Sequence, residues 1–246
     1  MKAALHAEWT KQRSVASTWW ALTATLATTL GGAAAMAALV HADTSDDVAR
    51  LASSGAMVSQ ALVTILGAAT MGDEYRSGLI VATLTAIPRR GVLLAAKAIV
   101  LSGAVFATGL LASTTSILAT ALISPEASGP RLGPAAHATL ATAAYLALIA
   151  LLALGTAAAS RSTAAATALT LALLYLPPLL AATVTNRTWQ IRIQRFAPMS
   201  AGLAPPIGGE AGRHQLASWS GLGIVAAWAL AALAFGGLAL WRRDVA

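Results

Sequence analysis

The sequence predicts an all-α integral membrane protein with six transmembrane helices, and three observations support this fold class. Of its 246 residues, 57% are hydrophobic and only 10% are charged, and the mean hydropathy of +0.71 lies outside the range of soluble proteins. Six apolar stretches reach the roughly 20 residues that cross a bilayer core of about 30 Å. Basic residues mostly flank these stretches. Together these features predict a single transmembrane domain over residues 1–246.

The six predicted spans begin after a charged N-terminal segment that has no apolar run and so does not predict a cleavable signal peptide. They cover residues 19–40, 51–70, 98–122, 136–159, 163–184 and 219–241. The apolar pattern of the third span continues back to Gly91. Pro177 and Pro178 are expected to bend or end the fifth helix, because proline lacks an N–H and clashes with the preceding turn. Tryptophan side chains prefer the membrane interface. The first span begins with two of them and the last span has one at each end, which supports these boundaries: Trp19, Trp20, Trp219 and Trp241.

The distribution of Lys and Arg predicts that the N- and C-termini face the cytoplasm. Basic residues concentrate in cytoplasmic loops, whereas acidic residues contribute little to orientation. With both ends inside, ten basic residues lie on the inner side: Lys2, Lys11, Arg13, Arg76, Arg89, Arg90, Lys97, Arg161, Arg242 and Arg243. Six basic residues lie outside, and four of these are in the long loop 185–218. Long loops are moved across the membrane largely regardless of their charge, so these four count little against the orientation. The sequence therefore predicts a multi-pass protein of the plasma membrane.

The connector between the second and third spans, residues 71–97, joins two apolar segments with clustered charges. Asp73 can cap a helix start, and Ile80, Leu84 and Ile87 recur at i, i+4 and i+7, which predicts a surface helix with one apolar face. Pro88 is expected to end that helix. Basic side chains are expected to anchor the protein beside anionic headgroups of the inner leaflet: Arg89, Arg90, Lys97, Arg242 and Arg243. An ordinary positive-inside loop is the alternative interpretation.

The long loop 185–218 carries alternating apolar and polar residues from Trp189 to Phe196. A short amphipathic element at the outer interface fits this pattern. On a helix Trp189, Ile193 and Phe196 share one face, whereas strict alternation suits a strand, and periodicity over so few residues allows either. A solvated loop with an interface anchor is equally compatible with the sequence.

The sequence contains no motif that predicts a catalytic or metal site. It lacks the phosphate loop, H-E-x-x-H and G-x-S-x-G patterns, it has no cysteine, and its histidines are isolated: His6, His41, His137 and His214. The net charge of +7 is carried mostly by residues that flank apolar segments, so lipid is the expected partner and nucleic acid is not. Spans without acidic residues also predict that any transport is driven from outside the membrane.

Three stretches resemble the permease subunits of ABC-2 type ABC transporters, the type V exporter class. Residues Glu8-Trp9-Thr10-Lys11 with Arg13-Ser14 are similar to the family's cytoplasmic interfacial helix before a Trp-containing first span. The stretch Glu74-Tyr75-Arg76-Ser77-Gly78, followed by Pro88-Arg89-Arg90 and Ala96-Lys97, is similar to the coupling region between spans two and three, although position 79 is Leu where a small polar residue is expected. Trp219-Ser220-Gly221 and Arg242-Arg243-Asp244 resemble the start and end of the last span.

This resemblance implies a transport subunit without an ATPase site of its own. It would pair with a second permease chain, in a homodimer or heterodimer, and with two ATP-binding subunits that hold ATP and Mg. Its function would be export of a hydrophobic or amphipathic compound such as a drug, antibiotic or lipid. The implied sites are an interfacial helix with Glu8, Trp9 and Lys11, and a cytoplasmic coupling helix that contacts the ATPase through Glu74, Tyr75, Arg76, Ser77 and Gly78.

Two other classes of function remain open from the sequence. One is a membrane-embedded immunity or binding protein that captures a peptide or toxin at the 185–218 loop without transport. The other is a lipid-modifying membrane enzyme, which requires a metal or carboxylate cluster at the interface. Copurification of an ATP-binding partner separates the transporter from both.

Overall fold

The computed structural model describes residues 1–40, 45–86, 89–123, 132–203 and 219–242. Within these ranges the chain is almost entirely helical and contains no strand. The helices are α1 (Lys2–Ser14), α2 (Ala16–Leu39), α3 (Ser45–Ser54), α4 (Ala56–Ser77), α5 (Leu79–Ala86), α6 (Arg90–Ile123), α7 (Leu132–Ser160), α8 (Thr163–Thr183), α9 (Arg187–Phe196), α10 (Pro198–Gly202) and α11 (Trp219–Arg242).

Six helical segments among the described residues are long and apolar enough to cross a membrane, which confirms the predicted number of spans. They are Ala16–Leu39, Asp47–Ser77, Arg90–Ile123, Leu132–Ser160, Thr163–Thr183 and Trp219–Arg242. The third begins at Arg90, before the predicted start at residue 98, as its apolar pattern allowed. The fifth does not end at Pro177 and Pro178, since α8 continues to Thr183.

The centre of the bundle is formed by α7 and the α3–α4 segment. In each of these, 72% of an 18-residue apolar window is buried, against 22% in α2, α8 and α11. Helix α7 packs against α4, α6 and α11, while α2 packs against α4 and α6 on the other side. The outer helices therefore present large apolar side chains to their surroundings, including Trp20, Leu179 and Phe235. Such a surface is suited to lipid.

Glycines allow the helices to cross at close range. A Cβ added to Gly32 would lie 2.8 Å from the Cα of Gly55, and one added to Gly155 would lie 2.5 Å from the backbone of Ala232. Helices in lipid associate through such small residues because these let the backbones approach. Of the neighbouring pair Gly31 and Gly32, only Gly32 takes part in this crossing, because a Cβ on Gly31 would meet nothing within 4 Å.

The amphipathic element of the long loop is a helix, α9, so the strand alternative is wrong. The side-chain Oδ1 of Asn186 accepts a hydrogen bond of 3.0 Å from the backbone N–H of Thr188 and so caps the helix start. No residue of α9 is buried. Trp189 and Phe196 are exposed, and the guanidinium of Arg192 lies 5.4 Å from the Trp189 ring centroid.

Candidate functional site

The connector differs from the single surface helix predicted to start at Asp73. Helix α4 continues through Asp73 to Ser77, and the break comes at Gly78, whose φ of 71° is left-handed and ends the helix. Helix α5 then starts at Leu79 and is held by Ile80, which is buried in the main core. Asp73 is therefore not a cap. Its carboxylate accepts a 3.0 Å hydrogen bond from the hydroxyl of Thr163 at the start of α8.

A cluster of four charged side chains joins α1, α4 and α6 beside this turn, and we call it the charge cluster: Glu8, Lys11, Glu74 and Lys97. The ammonium of Lys97 lies 3.0 Å from Oε1 of Glu8 and 2.6 Å from Oε1 of Glu74. Lys11 also donates to Oε1 of Glu74. The side chains of Lys97, Glu8 and Glu74 are 0%, 4% and 3% exposed, whereas that of Lys11 is 40% exposed.

Because these charges are buried, the cluster holds α1, α4 and α6 together. Removing one partner from a buried ion pair leaves an uncompensated charge, which destabilises a protein by about 3–5 kcal/mol. Glu74 accepts from lysines of two different helices, so α1 and α6 are both fixed to the end of α4. Helix α1 is thus tied to the first turns of the third span.

Lys97 is not placed as the predicted lipid anchor. Because α6 begins at Arg90, Lys97 lies two turns inside the helix, where its fully buried ammonium pairs with carboxylates. The other residues predicted to anchor the chain to the inner leaflet differ in their exposure and contacts. Arg89 and Arg242 are exposed, Arg90 donates to the backbone carbonyl oxygen of Leu240, and Arg243 lies outside the described residues, as do Ile87 and Pro88.

The five predicted coupling residues are divided between the interior and the surface. Glu74 is buried in the charge cluster. Tyr75 is half-buried, and the guanidinium of Arg161 lies 5.5 Å from its ring centroid. Arg76, Ser77 and Gly78 are exposed. These last three are the most exposed of the five, so a partner can reach them without rearrangement. In α1, which the resemblance predicts to be interfacial, Trp9 is 51% exposed and Glu8 is buried.

Several contacts bring the N-terminal helix, the connector and the end of the last span to one end of the bundle. Lys11 pairs with Glu74, Arg90 donates to the carbonyl oxygen of Leu240 at the end of α11, and Thr163 donates to Asp73. The turn between α7 and α8 lies at the same end. Most residues that the sequence assigned to the inner side are therefore close together in space.

A second buried polar contact lies deeper in the bundle. The hydroxyl of Tyr145 donates to Oε1 of Gln60, and Nε2 of Gln60 donates to the carbonyl oxygen of Met57 at 3.0 Å. Both side chains are fully buried. Each polar group finds a partner inside the bundle, so this contact stabilises the packing of α4 against α7.

All four members of the charge cluster were candidate residues in the sequence, but their contact with one another was not predicted. A signal existed in Lys97, which interrupts an apolar pattern that runs from Gly91 onward. A lysine within an apolar helix requires a buried partner. Its acidic partners lie 89 and 23 residues away in the chain, so local spacing could not identify them.

Comparison with known proteins assigns no family to this chain. No protein-family model matches the sequence, and no curated protein matches it. Among the residues that the structure describes, no group of three or more His, Cys, Asp or Glu is placed to hold a metal ion. The charge cluster and the exposed connector beside it are the features from which a function can be argued.

Proposed function

We propose that the chain is the transmembrane permease subunit of an ATP-driven ABC transporter of the ABC-2 type. Two permease chains and two separate ATP-binding subunits form the transporter, and ATP hydrolysis takes place in the latter. The cargo is a hydrophobic or amphipathic compound such as a drug, an antibiotic or a lipid, exported across the plasma membrane.

The observation that carries this proposal is the position of α5 next to the charge cluster. Glu74 fixes the end of α4 to both α1 and α6, and the chain then turns at Gly78 into a short helix with exposed Leu79 and Val81. A force applied to α5 from outside the membrane is passed to three helices at once, because their junction is held by buried ion pairs. Such a junction suits a subunit that is moved by a partner.

The exposed part of the connector is the proposed contact with the ATPase. Arg76 has 82% of its side chain exposed and lies 3.7 Å from Asp73, so its guanidinium can reach a partner carboxylate and form charge-assisted hydrogen bonds. Leu79 and Val81 add apolar area at the same place. Glu74 serves this contact indirectly, by fixing the end of α4.

The orientation proposed for the chain has both termini and the connector in the cytoplasm. We expect an impermeant thiol reagent outside intact cells to label Gln194→Cys, in the exposed helix α9, but not Ser77→Cys in the connector. Both positions are exposed, and the chain has no cysteine that would obscure the result. The reason is the excess of basic residues on the connector side. Labelling of Ser77→Cys from outside would show that the orientation is the reverse of the one proposed.

Charge reversal at Arg76 tests the proposed coupling. In reconstituted vesicles that contain the permease and its copurified ATPase, we expect Arg76→Glu to lower permease-dependent ATP hydrolysis at least about tenfold, because a like charge then faces the partner. Arg76 is exposed, so the variant should insert and melt as the wild type does. The measurement is phosphate release with and without the permease.

The matched control for this experiment is Arg195→Glu in α9. Arg195 is exposed at a site that the proposal places on the other side of the membrane, so its reversal should leave ATP hydrolysis unchanged. Equal loss of activity in both variants would contradict a specific role of the connector. A permease that never retains an ATP-binding chain, together with a monomeric mass in mild detergent, would overturn the transporter assignment.

A second candidate function is favoured by α9. This helix has no buried residue and exposes Trp189, Ile191 and Phe196 beside three arginines. A membrane-embedded immunity protein could bind an acidic, amphipathic peptide through such a surface. If no ATPase copurifies and Trp189→Ala abolishes peptide binding, this function replaces the first.

A further inference from the structure

A groove lies between α1, the first turn of α2 and the last turns of α4, next to the charge cluster. Its volume is about 230 Å³, and the apolar part of its lining is formed by Val15, Leu66, Ala69 and Leu79. The polar part includes Glu8, Lys11, Gln12, Asp73 and Glu74. Ser17 and Thr18 also line it, just after the chain passes from α1 into α2. The groove therefore lies at the start of the first candidate span, Ala16–Leu39, where the proposed orientation puts lipid headgroups.

Buried polar atoms in this groove have unused hydrogen-bonding capacity. Oε2 of Glu74, and both Oε1 and Nε2 of Gln12, have almost no exposed area and no hydrogen-bond partner among the described residues. Buried polar groups are normally paired, because an unpaired one loses its solvation without compensation. A molecule that enters the groove and displaces the side chains covering these atoms gains two acceptors and one amide nitrogen with two N–H donors. Lys11 adds further N–H groups at the groove's more open side.

The charges of the groove favour a ligand with a cationic group that carries several N–H donors. Three carboxylates and one lysine line it, and the buried Lys97 bonded to Glu8 and Glu74 leaves one net negative charge. Arg76 lies 3.7 Å from Asp73 but is 82% exposed, so it screens Asp73 from the solvent side and does not reach Glu74. An anionic ligand is disfavoured here by the buried carboxylates.

We propose that the groove binds a phospholipid whose headgroup carries a primary ammonium, phosphatidylethanolamine. Its ammonium donates to Oε2 of Glu74 and Oε1 of Gln12, while its phosphate accepts from Nε2 of Gln12 and from Lys11. The acyl chains lie along Val15, Ala69 and Leu79. Phosphatidylcholine has methyl groups in place of N–H donors and so cannot satisfy the buried acceptors.

The size of the groove supports a headgroup as the occupant. Sites for whole drug-sized molecules measure about 300–1,000 Å³, so a volume of about 230 Å³ holds only a smaller polar group. The remaining apolar part of the lipid stays on the lipid-facing surface. Binding of this lipid bridges α1 and α4 beside the charge cluster, independently of any transported cargo.

Native mass spectrometry of the full-length protein tests the proposal. The protein is purified in mild detergent and incubated with equal amounts of dioleoyl phosphatidylethanolamine, phosphatidylcholine and phosphatidylglycerol. We expect one phosphatidylethanolamine per chain, retained at least tenfold more than either other lipid. Gln12→Leu removes the amide atoms and Ala69→Phe fills the apolar side, and each should reduce this retention about tenfold.

Controls separate the groove from general lipid adhesion. Gln194→Leu changes an exposed amide in α9, and Ile65→Phe enlarges an exposed side chain of α4 outside the groove, so both should retain the lipid as the wild type does. Equal retention of the three lipids by the wild type would overturn the proposal. Unchanged retention in both groove variants would also overturn it, since the lipid would then be an adventitious additive only.

Discussion

Replacing Lys97 by methionine is expected to lower the free energy of unfolding by about 3–5 kcal/mol. The change keeps the length of the side chain but removes the ammonium that lies between Glu8 and Glu74. Both carboxylates then stay buried with less compensation, and only Lys11 remains to pair with Glu74. The measurement is the denaturant midpoint of the purified protein in detergent micelles. Release of α1 should also make the N-terminal segment sensitive to protease.

A matched control and a rescue distinguish lost charge pairing from lost packing. Arg89→Met removes an exposed cation one residue before the same helix and should leave the midpoint unchanged. Adding Glu8→Gln and Glu74→Gln to Lys97→Met should recover much of the stability, because no buried charge is then left without a partner. If Lys97→Met is as stable as Arg89→Met, the buried ion pairs do not stabilise the contact of α1, α4 and α6.

Replacing Gly55 by alanine is expected to separate α2 from the α3–α4 segment. The added Cβ would lie 1.9 Å from the backbone carbonyl oxygen of Thr29, and a backbone atom cannot move aside by changing a rotamer. Overpacking typically destabilises by about 1–3 kcal/mol, and this contact belongs at the upper end of that range. The unfolding midpoint in detergent reports the loss. Lower yield of inserted protein should accompany it.

The control for Gly55 lies in the facing helix. A Cβ on Gly31 would meet nothing within 4 Å, and alanine is a better helix former than glycine by about 0.8–1.0 kcal/mol. Gly31→Ala should therefore be neutral or slightly stabilising. A Gly31→Ala variant that loses as much stability as Gly55→Ala would contradict this explanation, because the loss would then not depend on the close crossing at Gly55.

The charge cluster and the Gly55 crossing lie at opposite ends of α4 and join it to different helices. The cluster fixes α4 to α1 and α6 at the connector end, whereas Gly55 and Gly32 let α2 approach the break between α3 and α4. A displacement of α5 would reach the bundle through the first of these contacts. This gives the proposed coupling a defined route, from α5 through buried ion pairs to α1 and to the second and third spans.

The number and approximate position of the spans could be predicted from the sequence because spanning a bilayer is a local requirement. About 20 apolar residues in a row satisfy it whatever the rest of the chain does. The helix boundaries at the connector could not be predicted in the same way. Asp73 and Gly78 both look like helix ends, and the choice of Gly78 depends on α4 packing its last turn against Thr163.

The sequence by itself determined the all-helical class, the six spans and the clustering of basic residues on one side. Only the tertiary structure decided what the charged residues of that side do. Lys97 and Glu74 were expected at a surface, but the crossing of α1, α4 and α6 encloses them and makes each the other's counter-ion. The physical reason is that burial and pairing depend on residues far apart in the chain, whereas hydropathy depends on neighbours in sequence.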